Sequence, residues 1–188
     1  MEKVTLVGGP ARNATATLAG GCFWCTEAIF KRLKGVISVT QGYSGGEMES
    51  PSYEAVSSGR TGHAEAIQIE FDPNLISYEK LLEIFFKLHD PTTMNRQGND
   101  IGPQYRSVIF YLDEKQKLTA ENVKKRIEEE KIYDKLIVTE IVPFKNFYKA
   151  EAYHLDYYAK NSDQPYCRIV IDPKITKLYK EFKDVVKE

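Results

Sequence analysis

A cysteine directly behind a Gly-Gly pair, with a second cysteine three residues later, is the feature of this chain that most invites a chemical reading. Residues 15–18 are β-prone and run into Ala19-Gly20-Gly21. From Cys22 onward Phe23, Ala28 or Ile29, Phe30 and Leu33 have helical spacing, and Gly35 closes the run. The pattern predicts a helix over 22–34 with Cys22 at its N-terminus. Glycines let the backbone turn sharply and leave the sulfur approachable, while free N–H groups and the positive end of the helix dipole face it. Thiolate is favoured in such a setting, so Cys22 is expected to be a nucleophile that needs no metal. The competing structural reading is a small, inert, buried cysteine at a turn.

Cys25 completes Cys-Phe-Trp-Cys, the spacing of a thioredoxin-like dithiol, and a disulfide oxidoreductase is therefore the rival chemistry. Against it, such motifs usually hold a proline, glycine or small residue where Phe23 and Trp24 stand. Structural zinc needs a second ligand pair, and Cys167, His63, His89 and His154 have no such spacing. A carboxyl adds to the thiols. Residues 63–71 alternate, with Glu65, Ile67, Ile69 and Phe71 on one face of a strand and Ala64, Ala66, Gln68 and Glu70 on the other. Among apolar neighbours a carboxyl resists ionisation, which suits Glu65 to general-acid work near neutral pH; a solvated surface glutamate is the alternative.

The elements that must position these groups are legible in outline. Strands are expected at 15–18, 36–43, 63–71, 107–112 and 136–142. Helices are expected at 22–34, after a Ser77 cap with Leu81, Ile84, Phe85 and Leu88 on one stripe, and at 115–130, 146–160 and 174–187. Residues 1–14 read as an irregular lead-in with a short strand at 4–7, and 161–188 as C-terminal coil and helix. Segments 44–62 and 90–106 are polar and aperiodic, longer than ordinary connections, and so are expected to carry function. Without repeat or linker, 1–188 reads as a single catalytic domain of interleaved strands and helices, α+β or α/β.

Composition narrows the function. The chain has 188 residues, 42% of them hydrophobic, and 26 Lys+Arg against 27 Asp+Glu. That balance offers no basic field for nucleic acid or anionic lipid. No signal sequence or apolar span is visible, which predicts a cytoplasmic protein without a membrane partner. Three cysteines are too few for a disulfide framework and point to thiols with a chemical task.

Gly21-Cys22-Phe23-Trp24 followed by Glu27 resembles the signature of the peptide methionine sulfoxide reductase A family, usually Gly-Cys-Phe-Trp-Gly. Further segments match in order: Gly42-Tyr43-Ser44-Gly45-Gly46, Tyr53 through Val56, Thr61-Gly62-His63-Ala64-Glu65, His89-Asp90-Pro91, Gln97-Gly98-Asn99-Asp100, Gln104-Tyr105-Arg106-Ser107, Phe147-Tyr148 with Ala150-Glu151 and Tyr153-His154, and Gln164-Pro165-Tyr166-Cys167. Together they span about residues 16 to 175. The resemblance implies an α+β two-layer sandwich with a ferredoxin-like core and long coil. It implies reduction of methionine S-sulfoxide, free or in oxidised proteins and peptides, as repair under oxidative stress.

On this sequence the family's nucleophile corresponds to Cys22 and its proton donor to Glu65. The tyrosines that bind the sulfoxide oxygen correspond to Tyr53 and Tyr105, the supporting carboxylate to Asp100, and a further site tyrosine to Tyr166. Phe23 and Trp24 resemble the apolar wall around the substrate methyl. Attack leaves a sulfenic acid that a second thiol must condense with. Cys167 is the first expectation for that thiol, in a segment read as mobile coil, and Cys25, standing where the family more often has glycine, is the second. Thioredoxin is the implied reductant, and no cofactor or metal is required. A binding module without turnover is the remaining alternative.

Overall fold

The computed structural model describes residues 13–188, so the strand expected at 4–7 lies outside the described residues. Strand β1 (Ala14–Gly20) is followed by helix α1 (Phe23–Phe30), β2 (Val36–Ser44), the short helix α2 (Tyr53–Ser57) and β3 (Ala64–Phe71). Ala14, read from sequence as lead-in, already pairs with Phe71. Helix α3 (Tyr78–Leu88) starts on Ser77, whose side chain accepts from the Lys80 N–H, and buries Leu81, Ile84, Phe85 and Leu88 as its periodicity requires. The 90–106 segment folds into a small hairpin, β4 (Arg96–Gln97) and β5 (Asp100–Ile101), and a 3-10 turn at Pro103–Tyr105. Then come β6 (Ser107–Tyr111), α4 (Glu114–Glu129), β7 (Glu140–Pro143), β8 (Tyr148–Lys149), α5 (Tyr157–Lys160), a π-helical turn at Cys167–Ile171 and α6 (Asp172–Glu181).

Six strands form one mainly antiparallel sheet in the order β7-β6-β1-β3-β2-β8, with β6 and β7 parallel, and the result is a mixed α/β fold. Strand parity decides what each face meets. Leu18, Ile67, Ile69, Phe71 and Ile109 pack with Phe30 of α1, Leu81 and Phe85 of α3, and Val123 and Ile127 of α4. The opposite face carries the small residues Ala19, Ala64 and Ala66 with Val108 and Phe110, covered by Val142, Phe144 and Phe147. Glu65 shares parity with Ile67 and therefore points to the helical side. Among the described residues no helix is long and apolar enough to cross a membrane.

Four sequence expectations need correction. Helix α1 stops at Phe30, not 34, because Arg32 and Leu33 turn their N–H groups back to Ile29 and Phe30 and Leu33 then bridges to Val186. The strand expected at 136–142 is only Glu140–Pro143; Leu136 is exposed, and the Val138 N–H goes to the Pro91 carbonyl. Residues 146–160 are not one helix. Tyr148 pairs with Tyr43 as a sheet edge, Glu151 reaches across to the Tyr53 N–H, and Asp156 takes a left-handed φ of 58° before α5. Finally, 161–171 is not coil throughout: helix begins at Pro165 and passes through the π turn into α6.

Candidate active site

The C-terminal ends of β1 and β2 and the starts of β3 and β6 lie at one end of the sheet, as the pairings Gly20↔Ser107 and Ser44↔Ala64 require. The loops 44–62 and 90–106 collect there. Gly21 turns the chain at φ +88°, and Cys22 becomes the N-cap of α1 with extended ψ of 125°. The Cys25 N–H already closes on the Cys22 carbonyl at 3.1 Å. Cys22 is 7% exposed.

Glu65 is brought to the same point. Its Oε2 accepts the Phe23 N–H at 3.0 Å, so one of the free amides of the helix start is used by the carboxyl. Burial dominates its acidity and pushes it up to about 8 despite that hydrogen bond. Glu65 is a neutral acid at neutral pH, as parity anticipated. Cys22 departs from expectation: burial raises its thiol well above the ordinary cysteine range, its hydrogen bond to Cys25 adds to this, and Glu65 opposes a second negative charge. The reason is that a helix N-terminus gives about 1 kcal/mol to an anion, too little to offset removing it from water. Cys25 receives that hydrogen bond and is held down at about 7.

The aromatic residues named from sequence surround this pair. Phe23 is buried, lying 5.9 Å from the Tyr43 ring and stacked at 6.5 Å on Tyr53. Tyr53, at the start of α2, and Tyr105, in the 3-10 turn before β6, are half-buried phenols whose pKa values are raised. Burial comes first among the causes, followed by the negative charge of Glu65, which places both near that carboxyl. Tyr166 donates to Asp100 Oδ2 at 2.8 Å and meets the Cys25 sulfur at 3.9 Å. Asp100 thus holds the Tyr166 hydroxyl beside the Cys25 sulfur. A groove of about 590 Å³ opens beyond them, lined also by Gly98, Ile169, Val170 and Lys174.

The three cysteines, all free, share one apolar cluster with Ala28 and Ile171, packed by Trp24, Tyr105 and Tyr166. Cys167 is fully buried there at the first residue of the π turn, so the mobile coil expected for it is not what the chain forms.

Several contributors had no role assigned from sequence. The Trp24 indole N–H donates to His154 Nδ1 at 3.1 Å, and the Tyr157 ring stacks on Trp24 at 3.7 Å. Burial lowers His154, keeping it neutral, and with Nδ1 accepting, its proton sits on Nε2, which faces Glu151 at 3.8 Å. Glu151 in turn accepts from Tyr43 and from the Tyr53 N–H, both at 2.8 Å. Glu151 and His154 stood within quoted motifs; Tyr157 carried no signal, because its value depends on a packing that local pattern does not encode.

Such a thiol, a neutral carboxyl and hydroxyl donors set among aromatic rings suit reduction of a small neutral S–O group. The peptide methionine sulfoxide reductase family model matches residues 14–186. A protein of Sulfolobus acidocaldarius named peptide methionine sulfoxide reductase MsrA is 59% identical over 169 residues, 90% of this chain and 95% of that one. The reduced form of Mxr1 from Saccharomyces cerevisiae superposes with a TM-score of 0.78 at 36% identity, covering 85% of this chain and 91% of that one. Mxr1 in complex with Trx2 aligns at a TM-score of 0.56 and 27% identity over 81% and 90% of the two chains. The thiol and carboxyl joined at the head of α1 are therefore those of a member of the peptide methionine sulfoxide reductase family, to which this chain belongs.

Proposed function

We propose that this enzyme, an oxidoreductase by family, reduces the S-epimer of methionine sulfoxide by direct attack of Cys22 on the sulfoxide sulfur. The observation that carries the reading is the buried Glu65 carboxyl, hydrogen-bonded to the amide that follows Cys22 and protonated at neutral pH. Cys22 gives up its proton and bonds to the sulfoxide sulfur while Glu65 protonates the oxygen. That hydroxyl then passes to the Cys22 sulfur as the bond between the two sulfurs breaks and returns its electron pair to the thioether, and the thiol's proton replaces the one Glu65 gave. Thiol and sulfoxide become sulfenic acid and thioether, with atoms and electrons balanced. Tyr53 and Tyr105 supply hydroxyl donors to the oxygen as it gains negative character, and Phe23 and Trp24 wall the methyl group. Asp100 orients Tyr166 beside the thiols.

A second thiol then condenses with the sulfenic acid, releasing water and leaving a disulfide. Proximity and acidity support Cys25 over Cys167, reversing the preference drawn from sequence. Cys25 holds a hydrogen bond from Cys22, and because Cys22 is a cap with non-helical ψ, the pair is not confined to one α-helical turn. Thioredoxin returns the disulfide to dithiol, a role supported by the yeast relative's complex with Trx2. Oxidised proteins and peptides and free methionine sulfoxide are the substrates, so the activity is repair under oxidative stress, and three free thiols fit a cytoplasmic setting.

The fold reading goes a step further. The four strands β6-β1-β3-β2, with α1 between the first and second in chain order and α3 between the third and fourth, support a ferredoxin-like core in a two-layer sandwich.

The test supplies dithiothreitol and methionine S-sulfoxide to wild type and Cys22→Ser. Methionine formation by wild type alone is expected; turnover by the serine variant overturns the assignment. A disulfide oxidoreductase working through Cys22 and Cys25 would instead reduce insulin and leave the sulfoxide untouched.

A further inference from the structure

A second buried carboxyl lies one helical turn beyond Cys22, and the reaction above does not use it. Glu27 is 1% exposed. Its Oε2 accepts from Gln41 Nε2 at 2.8 Å and its Oε1 from the Asp156 N–H at 3.2 Å. Among the described residues no cation pairs with it directly; Lys31 makes its ion pair with Asp156 instead. One carboxyl therefore joins α1, strand β2 and the 151–157 segment, and each oxygen serves a donor from a different part of the chain. Burying an acid this way is costly, and its pKa is raised accordingly, burial being the main cause.

What that segment carries gives the arrangement a purpose. Two residues before Asp156, His154 accepts the Trp24 indole N–H, and its ring lies 5.0 Å from Phe23 and 4.5 Å from Tyr53. One residue after it, Tyr157 stacks nearly parallel on Trp24, with 6° between the ring planes. The segment is the outer support of the rings around the thiol. It holds a backbone that a non-glycine residue disfavours, since Asp156 sits at φ 58°. The Asp156 N–H held by Glu27 lies at that strained residue.

We propose that Glu27 is a positioning residue: by holding the Asp156 amide it sets His154 and Tyr157 against Trp24 and thereby sets the affinity of the pocket for a methyl thioether sulfoxide. The inference rests on the reading of Trp24 as a substrate wall. Its action is on binding, through Trp24, and not on proton delivery to the oxygen, which belongs to Glu65.

The chain has a single tryptophan, so emission excited at the red edge of the absorption, beyond the tyrosines, reports Trp24 alone. In a Cys22→Ser background, which cannot turn over, N-acetyl-methionine sulfoxide amide serves as the probe, with its Kd read from that emission. Glu27→Gln keeps the side-chain volume but turns one acceptor into an NH2 that faces a donor. It is expected to weaken the probe by about tenfold, the effect of losing a hydrogen bond to a buried charged or polar group. The emission of the free protein should also shift to the red as the indole loosens. Asp156→Gly keeps the amide, suits the left-handed backbone and loses only the exposed pair with Lys31, so its Kd should stay within about twofold of the parent. A Glu27→Gln protein with parental Kd and emission overturns the proposal, as does Asp156→Gly reproducing the full defect. A parent whose emission ignores the probe overturns the reading of Trp24 itself, a result distinct from a responsive parent with an indifferent Glu27→Gln.

Discussion

Glu65 and Cys22 meet at the head of α1, where Glu65 Oε2 accepts the amide that follows the cysteine, and burial drives both groups toward their neutral forms. Alternation along β3 puts Glu65 among Ile67, Ile69 and Phe71, and burial then does what it must to a carboxyl. The acidity expected for Cys22 used only what is local, a glycine turn and a helix start, and left out how deeply the cluster of Trp24, Tyr105 and Tyr166 covers the sulfur. The pH dependence follows from Glu65. Single-turnover reduction of the sulfoxide, followed by rapid quench, should fall on the alkaline side as pH rises through about 8. Glu65→Gln should lose that alkaline limb and be slower by roughly 10²–10⁴-fold, the range for a lost general acid. Stability carries the same sign. A folded-state value raised above the unfolded one stabilises below the unfolded pKa and is lost as pH rises through the folded pKa, so denaturant midpoints of wild type should decline from about pH 4.5 to about pH 8 and then level off, while Glu65→Gln declines less. An alkaline limb that persists in Glu65→Gln would assign the titration to another group.

At the scale of elements, strong periodicity was readable and long-range pairing was not. Helix α3 carried its own cap and stripe, so Ser77 and Leu81, Ile84, Phe85 and Leu88 were legible from spacing alone. Residues 146–160 have helix-compatible spacing too, yet Tyr148 finds Tyr43 across 105 positions of chain and Glu151 is drawn to Tyr53, so tertiary contacts override local preference. Gly21 was legible as a turn, though its second duty was hidden. A Cβ there would lie 2.5 Å from Cγ of Gln97, whose amide is fixed on both sides by the Asp90 backbone at 3.0 and 2.9 Å. Gln97 belongs to the hairpin that carries Asp100. Gly21→Ala should therefore cost about 1–3 kcal/mol from the left-handed backbone alone. Sulfoxide turnover should fall more than that loss of fold explains, because the hairpin moves Asp100 away from Tyr166. Thermal unfolding and kcat measured on the same preparation separate the two effects, and a variant of normal stability and activity would show that Gln97 yields freely.

For the whole molecule, the consequence of the topology is that three thiols spread from residue 22 to residue 167 finish in one apolar cluster, because α6 and its π turn fold back on α1. Neither cysteine spacing nor charge pattern contains that meeting; only the matching of ordered motifs brought Cys167 into consideration. We expect Cys25 rather than Cys167 to be the partner of Cys22. Reaching Cys167 would require the π turn to give up a fully buried side chain, whereas Cys25 stands three residues from Cys22 with its N–H on the Cys22 carbonyl, and Cys22 is the most exposed residue of the three, on the side an incoming reductant would meet. Treating each protein with excess methionine sulfoxide and no reductant, then counting free thiols and mapping linked peptides, reads the outcome directly. Wild type should yield one methionine per disulfide and keep Cys167 as its free thiol. Cys25→Ser should still release one methionine per chain but lose thioredoxin-supported turnover by at least about tenfold, since its sulfenic acid has lost the neighbour best placed to trap it. Cys167→Ser should turn over with thioredoxin as wild type does. A 22–167 linkage in the wild-type map, or recycling that fails in Cys167→Ser and survives in Cys25→Ser, would return the role to Cys167 and require the π turn to open on every cycle.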